Sequence, residues 1–211
     1  MFTAFQEALR LSDQKHAMLT SDVHDQLANF EFLTNSLSKR PTRIAEVVPT
    51  KPTHVGACNA AVVGMGGVWI PPLPTSTNQH CATPPLVWRE PFPEHLQRRL
   101  VTWENPTGTI NNSDLELAGV IALQDILAQV TSVRKLTLAT LSDNTLAVYW
   151  KKRGSIFKSS PAAYLLRLFA LHRRPYRYLT KISHIPGDTN GMADTAFLNY
   201  FNIIYPQVKS W

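Results

Sequence analysis

The order of local signals predicts an α/β domain, with a five-stranded mixed sheet flanked by helices and a short helical segment in front. Two observations carry this expectation. Three strand-like runs follow one another between residues 54 and 90, and from residue 113 onward helical and strand-like stretches alternate. Consecutive strands read as a hairpin meander, and the alternation reads as crossover units. The length of 211 residues, 44% of them hydrophobic, allows one substantial core but not two full-sized domains.

Residues 13–38 space Ala17, Met18, Val23, Leu27, Phe30, Phe32, Leu33 and Leu37 close to helical periodicity, as one or two helices. Prolines 41, 49 and 52 then favour an extended connector, because proline restricts both itself and the residue before it. The expected division is a helical segment with its linker over 1–50 and the main domain over 51–211.

The first strand is expected over 54–63 and the second over 66–70, with Gly64-Met65-Gly66-Gly67 as the permissive turn between them. These glycines lack the Gly-Lys-Ser/Thr ending of a Walker phosphate loop. A five-proline loop over 71–85 leads to a short third strand at 86–90. Its His80 and Cys81 are two possible metal ligands without evident partners.

The clearest helix covers 113–130, where Ser113 can cap and Glu116, three residues on, completes the spacing of a capping box. A fourth strand at 134–143, a short helix at 144–154, a longer one at 161–174, a fifth strand at 176–187 and a final helix at 190–205 complete the order.

Charge is unevenly placed along the chain. Residues 131–185 hold eleven Lys or Arg against the single acid Asp143, whereas the remainder is mildly acidic. A basic half of this kind suits phosphates, although solvated helix faces give the same pattern. With only Cys58 and Cys81 no disulfide framework is implied, and both read as core fillers in a reducing compartment. The N-terminal stretch has no basic region followed by an apolar run, and no stretch reaches membrane-span length, so an intracellular, cytoplasmic or nuclear protein is expected.

Four positions suggest chemistry: Asn59 in the first strand, Glu116 in the first turn of the long helix, Asp143 ending the fourth strand and Asp194 in the last helix. Clustered carboxylates repel and need a cation, and hard oxygen ligands select Mg²⁺ or Mn²⁺. Two such ions about 4 Å apart can activate water and stabilise the leaving oxygen in phosphodiester hydrolysis. Each acid also has a plain reading. Glu116 can be the capping-box partner of Ser113, Asp143-Asn144 can be a helix cap, and Asp194 can be an exposed helix residue.

The ordered segments "GACNAAVVGMGGVW", "NNSDLELAGVIALQDIL", "TLSDNTLAVYWKKRGS" and "HIPGDTNGMADTAF" resemble the ribonuclease H-like domain that follows the reverse transcriptase in retroelement polyproteins, particularly fungal and oomycete ones. The resemblance covers roughly residues 40–211, and residues 1–39 are similar to the connection region after the polymerase. It implies a ribonuclease H-like fold whose four-carboxylate site binds two Mg²⁺ (or Mn²⁺) ions and cuts the RNA strand of an RNA:DNA hybrid. Glu116, Asp143 and Asp194 match the family's metal-binding acids, and Asn59 stands where its first catalytic aspartate falls.

In that family the first aspartate bridges both metals. An amide in its place is a weaker, uncharged ligand, which implies near-complete loss of cleavage. The expected protein is then a hybrid- or duplex-binding domain, with Lys151, Lys152 and Arg153 as the first phosphate contacts and Arg173, Arg174 and Arg177 as the next. Two alternatives stand beside it. One is an active hybrid endonuclease, in which a bridging water or Mn²⁺ rescues Asn59. The other is a catalytically dead interaction scaffold presenting Tyr200, Phe201, Tyr205 and Trp211. His184 reads as structural and Asp188 as an Asx-type turn. The absence of a polymerase upstream suggests a fragment or a domesticated remnant.

Overall fold

The computed structural model describes residues 8, 10, 19–40, 48, 51–70, 85–156, 161–191, 193 and 195. Strands β1 (His54–Ala61), β2 (Gly64–Ile70), β3 (Leu86–Pro91), β4 (Thr137–Ser142) and β5 (Leu179–His184) form one sheet in the order β3-β2-β1-β4-β5. The β1–β2 and β2–β3 pairs are antiparallel, whereas β4 runs parallel to β1 and β5 parallel to β4. The meander and the crossovers thus share one five-stranded mixed sheet flanked by helices.

The first turn is not made by the glycines. It falls at Val62-Val63, and Gly64, Gly66 and Gly67 belong to β2. A side chain at Gly67 would bring its Cβ to 2.6 Å from the Ala57 carbonyl oxygen and 3.0 Å from the Trp88 indole nitrogen. The glycine there permits close approach rather than reversal.

Helices α1 (Ser21–Lys39), α2 (Glu94–Gln97), α3 (Asn112–Val130), α4 (Thr145–Arg153) and α5 (Pro161–Tyr176) complete the described elements, with a 3₁₀ turn at Gly187–Thr189. The main core lies where α3 and α4 cover one face of the sheet and α5 packs on α3, joining Cys58, Trp69, Leu138 and Ile182 to Leu117, Leu123, Trp150 and Phe169. The Trp69 indole N–H donates to the Leu123 carbonyl, fixing α3 across the strands. On the opposite face Ala57 and Val68 pack against Ala193. Helix α1 is a single helix capped by Thr20, and Arg174 on α5 holds it by donating to the Ser36 hydroxyl at 3.1 Å and the Arg40 carbonyl at 2.8 Å. No described helix is long and apolar enough to cross a membrane.

Candidate active site

Parallel pairing brings two of the four positions to one edge. Ala57 of β1 lies opposite Leu141 of β4, and two residues further along each chain come Asn59 and Asp143. The ladder ends at the pair of Ala57 and Leu141, so Asn59, within β1, and Asp143, one residue past β4, lie at the same end of the two strands. Just past the point where β4 stops pairing, the Ala60 N–H donates to Oε1 of Glu116 at 3.0 Å. Glu116 is only 2% exposed, and its carboxylate lies on the backbone beside Asn59.

This geometry corrects the reading of Glu116 as a cap. The cap of α3 is Asn111, whose Oδ1 accepts from the Asp114 N–H at 3.0 Å, while Asp114 Oδ2 accepts from the Asn111 N–H at 2.9 Å. The capping box therefore sits two residues earlier than Ser113/Glu116. Burial holds the Asp114 carboxyl above its usual range, partly offset by backbone hydrogen bonds. Glu116, one turn into the helix, is left to reach the sheet.

Asp143 is likewise not a cap. Asn144 caps α4, with its Oδ1 accepting from the Ala147 N–H at 2.9 Å, and its Nδ2 donates to the Ser113 hydroxyl at 3.3 Å. The Asn144 N–H donates to the Ser142 hydroxyl at 3.2 Å, and His184 Nε2 donates to the Asp143 carbonyl at 3.0 Å. The backbone around Asp143 is thus pinned to α3 and β5, and no hydrogen bond from the described residues reaches its carboxylate. His184 therefore braces this turn. Asp188, expected to form an Asx-type turn, makes no such bond, since the 3₁₀ turn is closed by backbone bonds and the Thr189 hydroxyl.

Cys58 reports the charge of the edge. Burial pushes its thiol well up, and the negative charges of Glu116 and Asp143 push it further. The thiol therefore stays neutral, unsuited to metal or nucleophilic chemistry. Asn190, which carries no signal in the sequence beyond its polarity, is 1% exposed and donates from Nδ2 to the Cys58 carbonyl at 3.3 Å. It fixes the turn before the helical positions 191, 193 and 195 onto β1. Asp194 lies outside the described residues, as do His80, Cys81 and the tail aromatics Tyr200, Phe201, Tyr205 and Trp211.

The Glu116 and Asp143 carboxylates and the Asn59 amide are hard-oxygen donors, which by type fit Mg²⁺ or Mn²⁺. Among the described residues no group of three His, Cys, Asp or Glu side chains could hold an ion.

The basic residues divide sharply. Lys152 and Arg153 are exposed at the end of α4. Lys151 is 7% exposed, with Nζ 3.0 Å from the centre of the Phe169 ring and 3.4 Å from the Thr180 hydroxyl. Its face of α4 is turned into the core, which removes it from the phosphate contacts expected of the run. Arg173 lies over the same ring at 5.5 Å, Arg174 braces α1, and Arg177 adopts φ 54° at the turn after α5.

No protein-family model matches this chain, and no curated protein does. Among solved structures, RNase H1 LC11, isolated from compost by a metagenomic approach, is 13% identical over 73% of this chain and 99% of its own, with a TM-score of 0.46. The N-terminal RNase H domain of rv2228c from Mycobacterium tuberculosis is 17% identical over 68% and 94%, with a TM-score of 0.43. LC11 RNase H1 in complex with an RNA/DNA hybrid is 13% identical over 68% and 92%, with a TM-score of 0.41. At these values the likeness decides nothing about the chemistry of this chain.

Proposed function

We propose that this chain is a retroelement-derived ribonuclease H-like domain, spanning residues 51–211 behind a connection segment, that binds RNA:DNA hybrid or duplex nucleic acid with cleavage disabled at Asn59. One observation carries the reading. Glu116 and Asp143, neither of them used as a helix cap, both lie at the end of the β1–β4 pair where Asn59 stands. Glu116, Asp143 and the Asn59 oxygen, with Asp194 if it joins them, are the residues that would hold Mg²⁺ or Mn²⁺. A bound ion there would activate water and stabilise a leaving phosphate oxygen. The chain's own contribution is to hold these oxygens on a braced edge and to present Lys152 and Arg153 to phosphates. An amide where the family carries a carboxylate removes one negative charge from the ligand set, and that loss would impair cleavage.

The test is cleavage of a hybrid with labelled RNA in Mg²⁺ and in Mn²⁺ by three proteins: the native chain, Asn59→Asp, and Asn59→Asp with Glu116→Gln. The expected result is a silent native chain, cleavage by the single variant and silence again in the double variant. Cleavage by the native chain that Asn59→Asp does not increase would place the ligands elsewhere.

A further inference from the structure

The chain between α2 and α3 is braced well beyond what a connector needs. The Val101 N–H donates to the Ile110 carbonyl at 2.7 Å, and the Thr109 and Ile110 N–H groups both donate to the Arg99 carbonyl, at 2.9 and 3.1 Å. Asn105 Nδ2 reaches across to the Arg98 and Leu100 carbonyls at 3.1 and 3.0 Å. Gly108 lies so close to the opposite limb that a Cβ there would come within 2.4 Å of the Leu100 carbonyl oxygen. The tip of this clamped loop presents Trp103, 92% exposed, while Trp69, Trp88 and Trp150 are 2%, 8% and 9% exposed.

A single exposed apolar side chain is ordinary. Trp103 differs in its support and in its place. The base of the loop, Leu100 and Ile110, packs on Ala60 and Leu115, the chain neighbours of Asn59 and Glu116. Beside them a cavity of about 260 Å³ is lined by Val62, Leu100, Ile110, Leu115, Asn111 and Asn112. An exposed indole at the tip of a braced loop, whose base packs on the chain neighbours of Asn59 and Glu116 and lines a largely apolar cleft, suits a nucleobase. An indole face stacks on any base, but only where the base has a face uncovered, as in an unpaired strand.

We propose that Trp103 is a stacking platform for an unpaired base of the bound nucleic acid, where a strand leaves the duplex beside the candidate site. The inference rests on the nucleic-acid-binding reading above. It narrows the ligand from any hybrid to one with a single-stranded extension.

The test measures fluorescence anisotropy of the full chain with two labelled probes, a blunt RNA:DNA hybrid and the same hybrid with a single-stranded overhang. The proteins compared are native, Trp103→Ala and Trp103→Phe. The native chain is expected to prefer the overhang, Trp103→Ala to lose roughly tenfold affinity for it alone, and Trp103→Phe to keep most of the preference. Because the side chain is almost fully exposed, both variants should melt with the native chain. Equal binding of the overhang probe by native and Trp103→Ala overturns the inference, leaves hybrid binding intact and points to another partner for this indole. If the native chain binds neither probe, the nucleic-acid reading itself fails and this inference with it.

Discussion

The acid edge and the basic half of this molecule treat charge in opposite ways. At the edge, Asn111, Asn144 and Asn190 take up the backbone bonds of helix starts and strand ends, so Glu116 and Asp143 do no capping. In the basic half the most prominent run places Lys151 inward, against Phe169 and Thr180, with Arg173 over the same ring. No carboxylate forms an ion pair with Lys151 or Arg173 among the described residues. A carboxylate that caps no helix can serve a ligand, whereas a cation packed against an aromatic ring inside the fold serves the fold. Abundance in the sequence points the other way, since eleven cations crowd the second region and only one acid interrupts them.

The strongest way to break this comparison is to load the edge with a third carboxylate. Asn59→Asp should be less stable than the native chain in the presence of a chelator, because three carboxylates then repel without a cation. A dication that binds only the folded state restores stability, by about 2.7 kcal/mol at a hundred times its dissociation constant. Urea unfolding with and without Mn²⁺ measures both. If Mn²⁺ stabilises the variant no more than the native chain, the three positions do not form one ligand set.

Much of this arrangement is legible in the sequence, and the misses have physical causes. The strands and α3 announce themselves through apolar periodicity and fall within a few residues of their observed ends. The capping box does not, because "NNSDLE" offers two polar caps, each with an acid three residues on. Only the fold decides between them, by giving Glu116 the Ala60 N–H to bind. The glycines of β2 read as a turn because a glycine needed for close packing looks the same as one needed for reversal. Lys151 carries a readable signal that charge obscures. It lies four residues after Ala147 and three after Val148, on the buried face of α4.

A smaller effect probes the other side of the comparison. Burial first, and then the nearby Arg173 charge, hold the Lys151 amine well below its ordinary value of 10.5. Between the lowered folded value and 10.5 the unfolded chain binds a proton that the folded chain does not, so stability rises with pH across that window and is lost as pH falls through the folded value. The groups packed around the amine are Phe169 and Arg173 from α5 and Thr180 from β5. Lys151→Met keeps the volume and removes the charge. It should stabilise the protein by about 1 kcal/mol near neutral pH and flatten the rise in unfolding midpoint toward alkaline pH. A variant that keeps the native slope would show that Lys151 does not titrate across that window.

The smallest effect sharpens the comparison most finely, because it separates neighbours in one run. Lys152 and Arg153 are exposed, and Arg153 extends along Tyr149 with its guanidinium bonded to the phenol at 2.8 Å, so the pair can meet phosphates without disturbing the core. Removing a cation that neutralises one phosphate should reduce the slope of log affinity against log salt by about one. Lys152→Ala with Arg153→Ala should therefore flatten the slope for a hybrid by about two and leave stability within roughly 0.5 kcal/mol. Lys151→Met should leave that slope where it was, since its ammonium lies under an aromatic ring and displaces no counterion from a phosphate. Binding titrations at several salt concentrations decide the matter. If Lys151→Met and the double variant flatten the slope alike, burial does not separate fold charges from ligand charges in this helix, and the contrast drawn between the two regions fails at its nearest point.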